Sequence, residues 1–263
     1  MSSEALRLWQ LKLNRLLEAE AIETDTSVRF RLEVQITEAR AKIAELERER
    51  GPSPTCPTPH VDVSRLLHYA PAHLIGREDD MRVLVEAWEQ ACAANPGRPR
   101  LVSFVALGGE GKTALVAKWL TDLASTDWPG AAAVFAWSFY SQGTKDSSAA
   151  SSDLFLSEAL TFFGDPDTAS PKHAVDKARR LVHLLRERRV LLVLDGLEPL
   201  QYPPNSPMRG RLKDPAMATL LKGLATQSPG LCVLTTRYAV ADLEGAGANV
   251  QSHPIKRLSS AAG

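Results

Sequence analysis

A chain of 263 residues, 44% apolar and 24% charged, has the makeup of a folded globular protein and room for one α/β domain with a small appendage. Its formal net charge of zero argues against partners attracted by bulk charge, nucleic acid or anionic membrane, and no apolar run approaches the roughly 18 residues that span a bilayer. Cys56, Cys92 and Cys232 are odd in number and far apart, which fits a reducing compartment better than a disulfide framework; with a charged N-terminus unlike a secretion signal, a cytoplasmic location is expected.

From residue 4 to about 22, apolar side chains recur at Leu6, Trp9, Leu13 and Leu16 in steps of three and four. After a turn-forming stretch at 23–27 the rhythm resumes at Leu32, Ile36, Ala39, Ile43 and Leu46. Two heptad-patterned helices with a short polar connection predict an antiparallel α-helical hairpin, a coiled coil, over residues 1–50. So short a hairpin buries little by itself, so a protein partner or self-association is expected. Residues 51–61 contain Pro52, Pro54, Pro57 and Pro59; proline fixes φ and removes donors, which makes this a semi-rigid linker. Cys56 and His60 within it have no second pair of ligands with which to make a metal site. Residues 62–263 read as a single α/β domain, without internal repeats.

In that domain Ile75-Gly76-Arg77 precedes an acidic helix start, and the helix runs to about residue 94. Leu101-Val102-Ser103-Phe104-Val105 suits a buried parallel strand, and a helical stretch opens at Ala114. Between them lies Ala106-Leu107-Gly108-Gly109-Glu110-Gly111-Lys112-Thr113. Strand, glycine-rich loop, Lys-Thr and helix are together the context of a phosphate-binding loop. The glycines let backbone N–H groups turn toward phosphate oxygens, and the helix N-terminus adds positive potential. Lys112 is expected to reach the β- and γ-phosphates and the Thr113 hydroxyl to ligate Mg²⁺. Ala106 stands where the pattern has its first glycine, which is tolerable if its φ stays negative. The alternative is an ordinary strand–helix turn carrying a chance lysine.

Trp128-Pro129-Gly130 breaks the chain before a second core strand at 131–139. A polar loop at 141–148 and two helices, at about 152–163 and 172–187, follow. Arg189-Val190-Leu191-Leu192-Val193-Leu194-Asp195 is a continuous apolar run ending in a carboxylate, the mark of a fully buried parallel strand. Ligands in such sheets sit beyond the carboxyl ends of the strands, so Asp195 is placed to hold Mg²⁺ through water. An exposed loop at 201–214, a helix at 215–227, a core strand at 231–237 and a last strand at 250–255 complete the expectation.

Taken in order, Ile75-Gly76-Arg77-Glu78, the Gly-Gly-Glu-Gly-Lys-Thr loop, Leu192-Val193-Leu194-Asp195 and Thr235-Thr236-Arg237 resemble the STAND class of signal-transduction ATPases, especially NB-ARC and related bacterial branches, over about residues 62–256. The resemblance implies an ASCE-type P-loop fold, a parallel sheet sandwiched by helices, with the Thr235 strand inserted between the P-loop strand and the Asp195 strand. It implies that Ile75, Gly76 and Arg77 lie near adenine and ribose, that Gly108, Gly109, Glu110, Gly111, Lys112, Thr113 and Ala114 bind the nucleotide, and that Thr113 and Asp195 serve the metal. Arg237 resembles the sensor arginine that detects a γ-phosphate. The implied ligands are ATP or ADP with Mg²⁺, and the implied role is a switch of the kind found in signalling or defence proteins, in which exchange of ADP for ATP opens the molecule.

Two departures from the family pattern stand out. Gly196 occupies the place of a second acid directly after Asp195, and Glu198 is the nearest substitute, so hydrolysis is expected to be slow. The chain also stops at Gly263, before the helical lid and winged-helix domain of the family, and is expected to be a piece of a longer protein. The competing functions are a steadily active P-loop ATPase or kinase, and a helical adaptor with a degenerate nucleotide site.

Overall fold

The structure, a computed structural model, describes residues 26–49, 58–140, 148–165 and 173–256, with Trp9, Lys12, Leu13, Leu16 and Ala19 ahead of them. Two compact units divide at Pro57/Thr58, within the predicted linker. In the first, helix α1 spans Thr26–Glu49 and covers the second heptad run; Ile36 and Ala39 on that run are buried, and Val34 off it is 45% exposed. Trp9, Leu13 and Leu16 are helical. The rest of the predicted first helix, the connection at 23–25 and the linker through residue 57 lie outside the described residues.

The second unit is built on a six-stranded sheet: β1 (His60–Asp62), β2 (Leu101–Val105), β3 (Ala133–Ser138), β4 (Val190–Asp195), β5 (Leu231–Thr236) and β6 (Val250–Pro254). The spatial order is β1-β3-β4-β5-β2-β6, and every pairing is parallel. The Thr235 strand lies between the P-loop strand and the Asp195 strand, as expected. β1 is an addition: it starts two residues inside the predicted linker, and as a short edge strand it tolerates Pro59 directly before it.

Period-two alternation sorts each central strand onto two faces. Phe135, Trp137, Leu192, Leu194, Cys232 and Leu234 face one core, under helices α5 (Ser148–Phe162), α6 (Ala174–Leu185) and α7 (Pro215–Gln227). Val134, Ala136, Leu191, Val193, Val102 and Phe104 face the other, under α2 (Ser64–Leu67), α3 (Glu78–Cys92) and α4 (Lys112–Ser125). Burial on both faces is why these strands read as unbroken apolar runs.

Two expectations shift. Helix α5 begins at Ser148, four residues before the predicted start, and the loop residues 141–147 lie outside the described residues. The segment 201–214 is not simply exposed: Gln201 and Leu212 pair across an antiparallel bridge and are 2% and 7% exposed. The Gln201 amide holds this segment by donating to the carbonyls of Gly210 and Tyr238, both at 3.1 Å, while its oxygen accepts from the Thr236 hydroxyl.

Candidate nucleotide-binding site

The loop between β2 and α4 takes the shape its glycines allow. Gly109 (φ 84°) and Gly111 (φ 81°) are left-handed, and Ala106 is not among the positive-φ residues, so alanine is unstrained there. Gly111 is the N-cap of α4, and a Cβ at either left-handed glycine would meet nothing within 4 Å. Their need for glycine is therefore one of backbone conformation rather than space. Gly108 is different: a Cβ there would sit 3.2 Å from the Arg237 guanidinium, which lies directly against the loop.

Lys112 is 7% exposed and donates to the carbonyls of Ala106 (2.7 Å) and Leu107 (2.9 Å). Burial pulls its pKa below 10.5, against an opposing pull from Glu198. Asp195, at the end of β4, is 1% exposed and gathers three hydroxyls. Thr113 and Thr235 donate to its Oδ1 at 2.8 and 2.6 Å, and Ser138 to its Oδ2 at 3.2 Å. The register explains the convergence: Ser138 is the partner of Asp195 across β3–β4, and Thr235 lies beside it on β5. Gly196 N–H in turn donates to Thr235 Oγ1 at 2.8 Å.

These groups line a cavity of about 430 Å³ formed by Gly108, Gly109, Gly111, Lys112, Thr113 and Ala114 of the loop, with Ser138, Tyr140, Asp195, Arg237 and Tyr69. Among the described residues no group of three or more His, Cys, Asp or Glu could hold a metal. One hydroxyl and one carboxylate suit a hard cation that takes its other ligands from phosphate and water, as Mg²⁺ does. The donor set therefore fits the expected Mg²⁺ at Thr113 and Asp195.

Other expected residues are placed differently. Ile75, 64% exposed, Gly76, Arg77 and Glu110 are outside the cavity lining. Arg77 is 5% exposed and works from behind the loop: its guanidinium donates to the Glu110 carbonyl at 2.8 Å and the Lys256 carbonyl at 2.6 Å, and pairs with Asp80 at 3.2 Å. Asp80 also contacts His253 of β6 at 2.6 Å. Glu198 opens a 3-10 turn after β4; it accepts from the Tyr140 hydroxyl at 2.6 Å and lies 3.7 Å from Arg237 Nε.

Tyr69, Ser138 and Tyr140 line the cavity without having been singled out by the motifs, and Thr235 stood in the Thr-Thr-Arg motif without a role of its own. Ser138 and Tyr140 carried a signal, since polar residues ending an apolar strand next to Asp195 belong to the ligand edge. Tyr69 carried none.

The chain shares its fold with the Aeropyrum pernix ORC1 protein solved in complex with DNA (TM-score 0.52, 18% identity, 73% of this chain and 48% of that one). Further similar structures are the ORC2 protein of the same organism in ADPNP–ADP complexes (0.45, 17%, 73% and 51%) and an E. coli MS115-1 HORMA:CdnC:Trip13 complex (0.39, 16%, 70% and 65%). The chain spans about half the length of the two ORC proteins. No curated protein matches it. The NACHT domain model matches residues 105–258, more than half of the chain and the whole run from the end of the P-loop strand past β6. The chain belongs to the NACHT family, within the STAND-class P-loop NTPases.

Proposed function

We propose that this chain is the nucleotide-binding switch of a larger cytoplasmic signalling or defence protein, and that it holds ADP or Mg–ATP and hydrolyses ATP slowly. The observation that carries the reading is the cavity in which Lys112 and Thr113 of α4, Asp195 at the end of β4 and Arg237 just past β5 converge. Backbone N–H groups of Gly108–Ala114 and the α4 N-terminus receive the phosphates, and Lys112 trades its loop carbonyls for phosphate oxygens. Bound Mg²⁺ supplies charge neutralisation between the phosphates, held by the Thr113 hydroxyl and, through water, by Asp195. Arg237, beside Gly108, is suited to sense the third phosphate. In this reading the base stacks on Tyr69, an aromatic side chain of the cavity lining that is 43% exposed, and Ile75 and Gly76 lie near adenine and ribose as the family resemblance implies. The heptad helices supply the contact to a partner or a second copy.

The test is to purify the protein, release bound nucleotide by denaturation and identify it by chromatography, alongside titration with Mg–ATP. Adenine nucleotide in the wild type and its loss in Lys112→Ala are expected; neither nucleotide nor Mg–ATP binding would refute the reading.

A further inference from the structure

Glu198 is an acid close to the cavity that a hydrolysing enzyme could use as a base, and it does not line the cavity. Its side chain is 9% exposed, and its Oε1 is buried with no hydrogen-bond partner. Two residues that do line the cavity, Tyr140 and Arg237, engage it. Tyr140 donates its hydroxyl to Oε2 at 2.6 Å, and Arg237 Nε stands 3.7 Å from Oε1. The Tyr140 ring is held down over Gly196: a Cβ at that position, where φ is 72°, would be 2.2 Å from the ring. Gly196 is thus accounted for physically, since an acidic side chain there would collide with the ring that engages Glu198.

We propose that Tyr140 is a gate on Glu198: together with Arg237 it keeps the carboxylate out of the cavity, and a γ-phosphate that draws Arg237 toward itself begins the release. This rests on the nucleotide-switch reading above. In the hydrolytic step a water oxygen bonds to the γ-phosphorus, the bond to the β–γ bridging oxygen breaks and ADP leaves with that oxygen. The proton lost by the water passes to Glu198, which must first exchange the Tyr140 hydroxyl for the water. A tyrosine hydroxyl, with an ordinary pKa of 10.0, is a donor at neutral pH, and burial with the Glu198 contact pushes that of Tyr140 higher still, so the gate stays closed. Slow turnover then comes from the positioning of the acid, not from the lack of one.

The test compares wild type, Tyr140→Phe, Tyr140→Leu and Tyr140→Phe/Glu198→Gln in Mg–ATP affinity and in single-turnover phosphate release. Opening a charge-assisted hydrogen bond before the slow step costs a factor of about ten or more, so both single variants, each saturated with Mg–ATP at its own measured affinity, should release phosphate about tenfold faster. The double variant should lose the gain. A single variant that is saturated with Mg–ATP but hydrolyses it no faster, or a double variant that keeps the gain, overturns the gate. Absence of Mg–ATP binding in the wild type overturns the switch reading itself, which separates the two failures. Tyr140→Leu removes ring and hydroxyl together, so an unfolded Tyr140→Phe does not leave the question open.

Discussion

At Lys112 the ammonium is bonded to its own loop's carbonyls, and a polyphosphate offers it ionised and therefore stronger acceptors. Replacing it by alanine should weaken Mg–ATP binding by about 10–100-fold, the worth of one or two charge-assisted bonds, as read by titration calorimetry. The lysine must be charged to bind phosphate, so affinity is retained below its pKa and lost above it. Burial has moved that pKa below 10.5 in the free protein, so nucleotide affinity should begin to fall at a lower alkaline pH than an unperturbed lysine would give, and Lys112→Ala should abolish that slope. Gly196→Ala puts a side chain into a left-handed backbone and against Tyr140, which should cost about 1–3 kcal/mol of stability. Adding Tyr140→Ala should recover the part owed to collision and leave about 1 kcal/mol owed to φ, a division that a thermal-melt double-mutant cycle can measure.

At the scale of elements, the P-loop is braced from outside the cavity. Arg77, at the N-cap of α3, joins the Glu110 carbonyl, the end of β6 and Asp80. Arg77→Ala removes those three interactions, although Asp80 keeps His253. A loss of about 2–3 kcal/mol is expected, somewhat less than for a buried ion pair stripped of its only partner. Because the Glu110 carbonyl is part of the loop, the same variant should weaken nucleotide binding, although Arg77 does not line the cavity. The Ile-Gly-Arg motif was expected from the sequence to lie near adenine and ribose; the part of Arg77 as a brace was not legible, because that depends on where the chain returns after β6, more than 170 residues later. In the same way Asp195 was legible from an apolar strand ending in a carboxylate, while its ring of Thr113, Ser138 and Thr235 hydroxyls required the strand order β3-β4-β5.

For the whole molecule, a ligand that binds only the folded state stabilises it by mass action: about 2.7 kcal/mol at a hundredfold excess over Kd. For a domain of this size that is a rise in Tm of roughly 5–10 °C, which Mg–ATP should produce in the wild type and which should shrink to about half or less in Lys112→Ala at the same Mg–ATP concentration. The division at Pro57/Thr58 leads to a separate expectation for the helical unit. Aspartate at Leu13, Leu32 and Ile36 in the full chain should reduce self-association in light scattering and leave the nucleotide-induced rise in Tm intact. Loss of both together would tie the helices to the folding of the nucleotide domain.

The sequence by itself determined the class of fold and the position of the P-loop. Buried parallel strands must be apolar on both faces, and a loop that turns its N–H groups inward must carry glycine, so β2, β4, β5 and the Gly108–Thr113 loop announce themselves locally. Only the tertiary structure decided how the site is governed. Tyr140 and Glu198 are 58 positions apart and Arg237 is 39 beyond Glu198, and each alone is an ordinary surface-type residue. The sheet order brings the ends of β3, β4 and β5 together, and there the glycine that looked like a missing acid makes room for the ring engaging the acid that is present.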